Sequence, residues 1–151
     1  IACMDSDDLY FKTYLKKSIE VIKQKKVSLV GSNNMLIIYP KYENKLIMLE
    51  TDSKRQIHEN TMVITKNHFK MTKGFLSTFQ SEGVKLIDGF EKQVGLMNIF
   101  DILIQISHDN NVYPKDQFFT FGREIEGNLN PKILNILDSI FNFNKNYIKQ
   151  N

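Results

Sequence analysis

The sequence predicts an α/β fold, in which helices flank a mixed β-sheet. Short runs of β-branched and other apolar residues, separated by turn residues, alternate with stretches of helical periodicity. The apolar fraction is 42% and the charged fraction 25%, as in ordinary globular proteins. A chain of 151 residues is long enough to bury one core, and the sequence contains no internal repeat or linker. We therefore expect a single domain over residues 1–151.

The first half of the chain contains most of the predicted strands. Residues 1–4 are apolar and predict a short buried strand, and a helix is expected over residues 11–25. Leu15 and Ile19, together with Phe11 and Ile22, have the spacing of one apolar helix face, which we expect to be buried. Further strands are predicted at 27–31, 35–39, 46–50 and 61–65, with a hairpin loop at 40–44.

The second half of the chain is less regular. Short helices are predicted at 67–73 and 81–87, followed by a strongly apolar strand at 102–106. Residues 112–151 predict a loop and a final amphipathic helix that begins near Pro131, and we assign this region no function. The loop carries three phenylalanines that either cover an acceptor as a lid or pack on their own domain: Phe118, Phe119 and Phe121.

Charge and cysteine content exclude several classes of protein. The net charge of +3 is spread along the chain, and its densest cluster, Lys23, Lys25 and Lys26, falls at a predicted helix end, where cations are favourable. We therefore expect no nucleic-acid partner. The single cysteine, Cys3, excludes an internal disulfide. No apolar run reaches the ~18 residues of a membrane span, and no signal peptide is visible, so we expect a cytoplasmic protein without a span.

The most informative motif is the acidic cluster Asp5-x-Asp7-Asp8. Three carboxylates within four residues repel one another unless a positive charge compensates them. Hard cations such as Mg²⁺ or Mn²⁺ prefer oxygen ligands, and ligands gather beyond the carboxyl ends of strands in open α/β sheets. The motif therefore predicts a divalent-metal site. The alternative is that Asp5 and Asp8 cap the turn and the helix while Asp7 is solvated.

Residues 4–10, followed by an amphipathic helix, resemble the DxD segment of GT-A glycosyltransferases of the family-2-like group. The resemblance implies a partial GT-A (Rossmann-like) domain, a nucleotide-sugar donor and Mn²⁺ or Mg²⁺ as cofactor. It also implies that Asp5 contacts the ribose or a metal-bound water and that Asp7 binds the metal directly, and it leaves the role of Asp8 open. The family's nucleotide-binding part would precede Ile1. We therefore expect a C-terminal portion that has little or no activity alone.

Residues 58–64 and 81–89 carry a second match. Segment 58–64 resembles the one that enters a strand beneath the acceptor site, and segment 81–89 resembles the place where inverting enzymes carry their catalytic base. Glu82 is the matching acid, Gly83 stands where the family has a second acid, and Asp88 is the rival candidate. A carboxylate there would take the proton of the acceptor hydroxyl. The alternative for Glu82 is an exposed acid in the first turn of a helix.

A third match concerns His108, which follows the apolar strand 102–106 and opens a polar loop. The resemblance implies that this histidine is a metal ligand. The alternative is a histidine at a strand end that is bonded to backbone. His58, in a polar loop, and His68, expected on a short surface helix, are weaker candidates.

These features together predict a metal-dependent transferase. It would move a sugar from a nucleotide-sugar donor to a hydroxyl of a sugar or protein acceptor. The configuration at the anomeric carbon would be inverted if Glu82 is the base. Two other classes remain open: a non-catalytic binding domain derived from such an enzyme, and another divalent-metal-dependent phosphoryl-transfer domain, which also uses clustered aspartates at strand ends.

Overall fold

The computed structural model describes residues 1–76, 83–111 and 114–125, together with Asn135 and Ser139. Mixed β-pairing and flanking helices confirm the predicted α/β class. The chain forms two compact units, a first unit of Ile1–Met35 with Glu50–Ile104 and a second unit of Leu36–Leu49 with Gln105–Asn151.

The described elements are short. The helices and strands, in chain order, are β1 (Leu9–Tyr10), α1 (Tyr14–Lys25), β2 (Leu29–Gly31), β3 (Met35–Tyr39), β4 (Lys45–Leu49), β5 (Val63–Ile64), α2 (Lys66–Met71), α3 (Val84–Ile87), β6 (Val94–Leu96), β7 (Leu103–Ile106) and β8 (Arg123–Glu124). 3₁₀ helices lie at Pro40–Tyr42, Lys54–Gln56, Glu59–Thr61, Glu91–Gln93, Ile99–Asp101 and Lys115–Thr120.

The first unit is built on a mixed sheet with β2 at its centre. β2 pairs antiparallel with β5 and parallel with β6, so that Leu29 lies opposite both Ile64 and Val94. These three side chains are buried, together with Ile57, Met62, Leu86 and Ile87, and form the core of the unit. The core side of the sheet thus holds β-branched and leucine side chains, which suit a buried pleated surface.

The predicted buried strand at residues 1–4 is wrong. This segment runs along the outer edge of β5, where the Cys3 N–H donates to the Met62 carbonyl at 2.9 Å and Ala2 forms an isolated bridge with Val63. Ile1 and Met4 are exposed. An apolar run of four residues cannot distinguish an edge from a central position, because the distinction depends on strands far away in the chain.

The predicted buried face of α1 is also wrong. The helix buries Tyr14 and Ser18, whereas Leu15 and Ile19 are 45% and 48% exposed. The Tyr14 hydroxyl donates to the Met62 carbonyl at 3.2 Å, on the side of the helix that is buried. The helix begins at Tyr14 rather than Phe11, because residues 9 and 10 form β1 and pair antiparallel with residues 104 and 103 of β7.

In the second unit, the described strands follow the order β7-β3-β4-β8. β3 pairs parallel with the end of β7, and β4 pairs antiparallel with β8. The strands predicted at 35–39, 46–50 and 102–106 are confirmed to within one residue at each end. Part of the loop predicted at 112–130 is instead a 3₁₀ helix and β8.

The three phenylalanines of this region have different environments. Phe119 packs against Tyr39 and Tyr42, with ring centroids 5.1 and 4.4 Å apart, so it packs on its own unit. Phe118 is half-buried, and Phe121 is 81% exposed. Most of the final helix expected from Pro131 lies outside the described residues, although Asn135 and Ser139 are helical and exposed.

The strand predicted at 27–31 begins two residues later, at Leu29 of β2. The strand predicted at 61–65 shortens to β5, because Glu59–Thr61 forms a 3₁₀ helix, and the strand β6 was not predicted. The helix predicted at 81–87 is described only from Val84. None of the described helices is both long and apolar enough to cross a bilayer.

Candidate metal centre

The acidic cluster lies in the turn between the edge segment 1–3 and β1. Asp5 and Asp7 are exposed, and Asp8 is half-buried. One carboxylate oxygen from each of the three lies within 4.8 Å of the others. The fold therefore brings together three side chains that the sequence only places near one another.

The Tyr10 hydroxyl fastens the start of this turn. It accepts the Asp5 backbone N–H at 2.9 Å and donates to the Asn60 carbonyl at 2.9 Å. Burial raises the pKa of the Tyr10 phenol well above its ordinary value, and the nearby carboxylates of Asp5 and Asp8 raise it further. The hydroxyl therefore keeps its proton, so it remains a hydrogen-bond donor to Asn60.

Asn60 holds the other end of the turn. Its side-chain amide donates to Oδ2 of Asp8 at 2.8 Å. Asn60 is part of the 3₁₀ helix Glu59–Thr61, which is bonded to Ser32, the residue after β2. The Ser32 N–H donates to the Thr61 hydroxyl at 2.8 Å, and the His58 N–H donates to the Ser32 carbonyl at 2.9 Å. The acidic turn is thus positioned by the sheet rather than by its own sequence.

A fourth carboxylate, Glu59, lies beside this region. Its Oε1 accepts the Gly83 N–H at 2.7 Å. Burial raises the pKa of the Cys3 thiol to about 11, and the negative charges of Glu59 and Asp5 add to the shift. Cys3 is therefore a protonated thiol at neutral pH, which makes it a poor metal ligand because metals bind the thiolate.

The three carboxylates offer the type of ligand atom that a hard divalent cation prefers. Mg²⁺ binds oxygens at about 2.1 Å, so two oxygens on opposite sides of one ion are about 4.2 Å apart. A separation of up to 4.8 Å exceeds that value, so the exposed side chains of Asp5 and Asp7 would have to move closer to bind one ion. The donor set consists of oxygens alone, which favours Mg²⁺ or Mn²⁺ over softer metals.

His108 belongs to the second unit, where it is exposed in the loop after β7. Its Nδ1 accepts the Asn110 N–H at 3.2 Å, and its Nε2 lies 2.8 Å from the side-chain amide nitrogen of Asn111. Both ring nitrogens thus have partners in the loop, which a metal would have to replace. The role of His108 as a metal ligand stays a prediction.

Of the two candidate bases, Glu82 and Asp88, the structure describes only Asp88. Glu82 lies outside the described residues. Asp88 is exposed at the C-terminal end of α3, and in the described part of the chain its side chain makes no hydrogen bond or ion pair.

Gly83, which stands where the family has its second acid, is buried. A Cβ there would lie 2.9 Å from Cγ of Glu59 and 3.1 Å from Cε of Met62, so any side chain at this position would collide.

The two other histidines lie in the first unit. His68 is buried on α2, contrary to the expectation of a surface helix, with Nδ1 2.8 Å from the Ser28 hydroxyl and Nε2 2.7 Å from the Leu86 carbonyl. Burial lowers the pKa of His58 from 6.5 to about 4, against a smaller opposing effect of its hydrogen bond to the Asn33 backbone. The two ring nitrogens of His68 thus have partners within the fold, whereas the buried Nε2 of His58 has no hydrogen-bond partner among the described residues.

Tyr10 and Asn60 are the residues of the site that the motif by itself does not identify. They are 50 positions apart, and their contact is made only when β1 and the 3₁₀ helix come together. No protein family, curated protein or solved structure matches this chain.

Proposed function

We propose that this protein is a divalent-metal-dependent glycosyltransferase of the GT-A type, which transfers a sugar from a nucleotide-sugar donor to an acceptor hydroxyl. The observation that carries the proposal is the convergence of the Asp5, Asp7 and Asp8 carboxylates to within 4.8 Å in one turn. The mixed α/β architecture of the chain is compatible with such a domain.

Each residue of the turn has a distinct part in the proposal. Asp7, with Asp5 and Asp8, holds Mn²⁺ or Mg²⁺, while Tyr10 and Asn60 fix the backbone and one carboxylate of the turn. When bound, the cation supplies the positive charge that stabilises a departing nucleoside diphosphate. The hydrogen bonds to Asp5 and Asp8 restrict the turn before the donor arrives, which reduces the cost of ordering it.

The acceptor half of the reaction requires a base. Glu82 or Asp88 takes the proton of the acceptor hydroxyl, and the hydroxyl oxygen bonds to the anomeric carbon as the bond to the diphosphate oxygen breaks. The electron pair of the broken bond leaves with the diphosphate. Direct displacement of this kind inverts the anomeric centre.

A second candidate is a divalent-metal-dependent phosphoryl-transfer domain. The position of the acidic turn favours it, since the turn follows an edge segment beside β5, whereas the DxD segment of GT-A enzymes follows a strand at the centre of the sheet. Both functions use the same carboxylates. They differ in the product that leaves, which is a nucleoside diphosphate in one and inorganic phosphate or a phosphorylated product in the other.

The test is a calorimetric titration with Mn²⁺, with and without UDP, on the protein and on Asp7→Ala. Asp52→Ala, which removes another exposed acid of the first unit, is the matched control. We expect Mn²⁺ to bind the unmodified protein and Asp52→Ala but not Asp7→Ala. We also expect Mn²⁺ to bind more tightly when UDP is present. The absence of Mn²⁺ binding to the unmodified protein would overturn both candidates.

A product assay then separates the two functions. The protein is incubated with Mn²⁺ and a panel of UDP-sugars, and free UDP and inorganic phosphate are measured separately. Release of UDP that depends on Asp7 supports the transferase, and release of phosphate supports the second candidate. Mn²⁺ binding without any release would agree with a binding domain, or with a catalytic portion that has little activity alone.

A further inference from the structure

The outer side of α1 carries exposed aliphatic side chains. Because Tyr14 and Ser18 face the sheet, Leu15 and Ile19 point to solvent one helical turn apart, about 40° from each other around the axis. Ile22 continues the same stripe and is half-buried. Two large aliphatic residues, each nearly half exposed on one helix face, form a surface that apolar contact would stabilise.

Lysines flank this stripe. Lys16 and Lys23 lie about 100° and 80° around the helix from Leu15, on the same side as Ile19, and Lys12 is exposed in the turn that leads into the helix. Within the described part of the chain, none of these three lysines forms an ion pair, whereas Lys17 on the inner side is paired with Asp101.

We define the basic-apolar face as Lys12, Leu15, Lys16, Ile19 and Lys23. It carries three positive charges, and Glu20 at its border is the one acid in the helix sequence. Its partner must therefore be anionic and must also accept aliphatic side chains. A nucleic acid backbone meets the first requirement and not the second. The face is the convex side of a helix rather than a groove, so it is a poor seat for a peptide.

We propose that the basic-apolar face docks this protein peripherally on an anionic lipid surface. Leu15 and Ile19 enter the boundary between headgroups and acyl chains, while the lysines extend to the anionic headgroups. Helices that lie in the interface have this combination of an aliphatic stripe and flanking lysines. The proposal concerns a surface of the first unit that the metal centre does not use, so it stands independently of the proposed function.

The test is co-sedimentation of the complete chain with lipid vesicles. Vesicles of phosphatidylcholine alone are compared with vesicles that also contain phosphatidylserine, at low and at physiological salt. We expect binding to the phosphatidylserine vesicles only, and weaker binding as salt increases. Lys16→Glu/Lys23→Glu is expected to lower the partition coefficient by about tenfold or more, since each lysine near such a surface contributes about fivefold.

Two further variants distinguish this face from general charge attraction. Leu15→Gln/Ile19→Gln keeps the charges and good helix formers, so it is expected to remain folded and to bind several-fold more weakly. Lys66→Glu/Lys70→Glu makes the same change in net charge on exposed positions of α2, and is expected to retain most of the binding. Circular dichroism verifies that each variant is folded.

Three results would overturn the proposal. The first is the absence of binding to phosphatidylserine vesicles, and the second is an equal loss in the α2 control, which would indicate net charge alone. The third is a protein that sediments as a dimer and becomes monomeric in Leu15→Gln/Ile19→Gln, because the face would then be covered by a second copy of the chain.

Discussion

The side-chain amide of Asn60 donates a hydrogen bond to the carboxylate of Asp8 at 2.8 Å, across 52 positions of the chain. This bond joins the acidic turn to the 3₁₀ helix Glu59–Thr61, and the Tyr10 hydroxyl adds a second connection to the Asn60 carbonyl. The Asp8 carboxylate and the backbone of Asp5 are therefore held by a segment that supplies none of the three acids.

Replacing Asn60 by alanine is expected to weaken Mn²⁺ binding by roughly ten- to a hundredfold, because groups that orient metal ligands have effects of this size. The loss arises because Asp8 is no longer held in position. Calorimetric titration measures the dissociation constant. Asn67→Ala, at an exposed position of α2, is the control and should bind as the unmodified protein does. Unchanged affinity in Asn60→Ala would show that Asp8 does not need this contact.

Tyr10→Phe removes the hydroxyl that joins Asp5 to Asn60 and leaves the ring in place. We expect the free energy of unfolding to fall by about 1–2 kcal/mol, since two backbone groups lose a partner. Urea unfolding at neutral pH measures this change. Tyr42→Phe is the matched control, because no hydrogen bond of the Tyr42 hydroxyl is found within the described residues. Equal stability of the two variants would contradict the role assigned to Tyr10.

Gly83→Ala is expected to destabilise the protein by about 1–3 kcal/mol, the usual cost of overpacking. The new methyl group would come within 2.9 Å of Cγ of Glu59. A double-mutant cycle with Glu59→Ala identifies the cause, because removal of Cγ relieves this collision and the cost of Gly83→Ala should decrease in that background. Strictly additive effects would show that the collision with Glu59 is not the source of the strain.

His68 joins α2 to two other segments, since its Nε2 lies 2.7 Å from the Leu86 carbonyl oxygen and its Nδ1 lies 2.8 Å from the Ser28 hydroxyl oxygen. His68→Leu is expected to lower the free energy of unfolding by about 1–3 kcal/mol, because the buried Leu86 carbonyl loses this hydrogen bond, whereas the Ser28 hydroxyl keeps its bond to Gln93. Ser28→Ala should cost about 1 kcal/mol. The double variant, measured by urea unfolding, should lose less than the sum of the two single losses.

His58 makes the stability of the protein dependent on pH. Its pKa is about 4 in the folded protein, against 6.5 when unfolded, so the unfolded chain binds more protons between these values. The contribution of His58 to the free energy of unfolding is therefore fully present above pH 6.5. It decreases as the pH falls toward 4, by up to roughly 3 kcal/mol. Urea unfolding at several pH values should show a weaker pH dependence in His58→Gln. The same dependence in both proteins would assign it to other groups.

Part of this structure follows from local sequence pattern. The strands at Met35–Tyr39, Lys45–Leu49 and Leu103–Ile106 were predictable because runs of β-branched and leucine residues between turn residues suit a buried pleated surface wherever it lies. The acidic cluster was predictable for a related reason. Asp5, Asp7 and Asp8 are neighbours in the chain, so a single turn suffices to bring their carboxylates together.

The tertiary structure decided the rest. Apolar spacing indicated that α1 would bury the face with Leu15 and Ile19, whereas the folded unit buries Tyr14 and Ser18 and leaves Leu15 and Ile19 exposed. The tertiary structure also placed residues 1–4 at the edge of β5, and it brought Tyr10 and Asn60 to the acidic turn. Local pattern determines which residues are strand or helix, whereas partners 50 positions away are chosen by how the elements pack, because such contacts form only after the sheet has assembled.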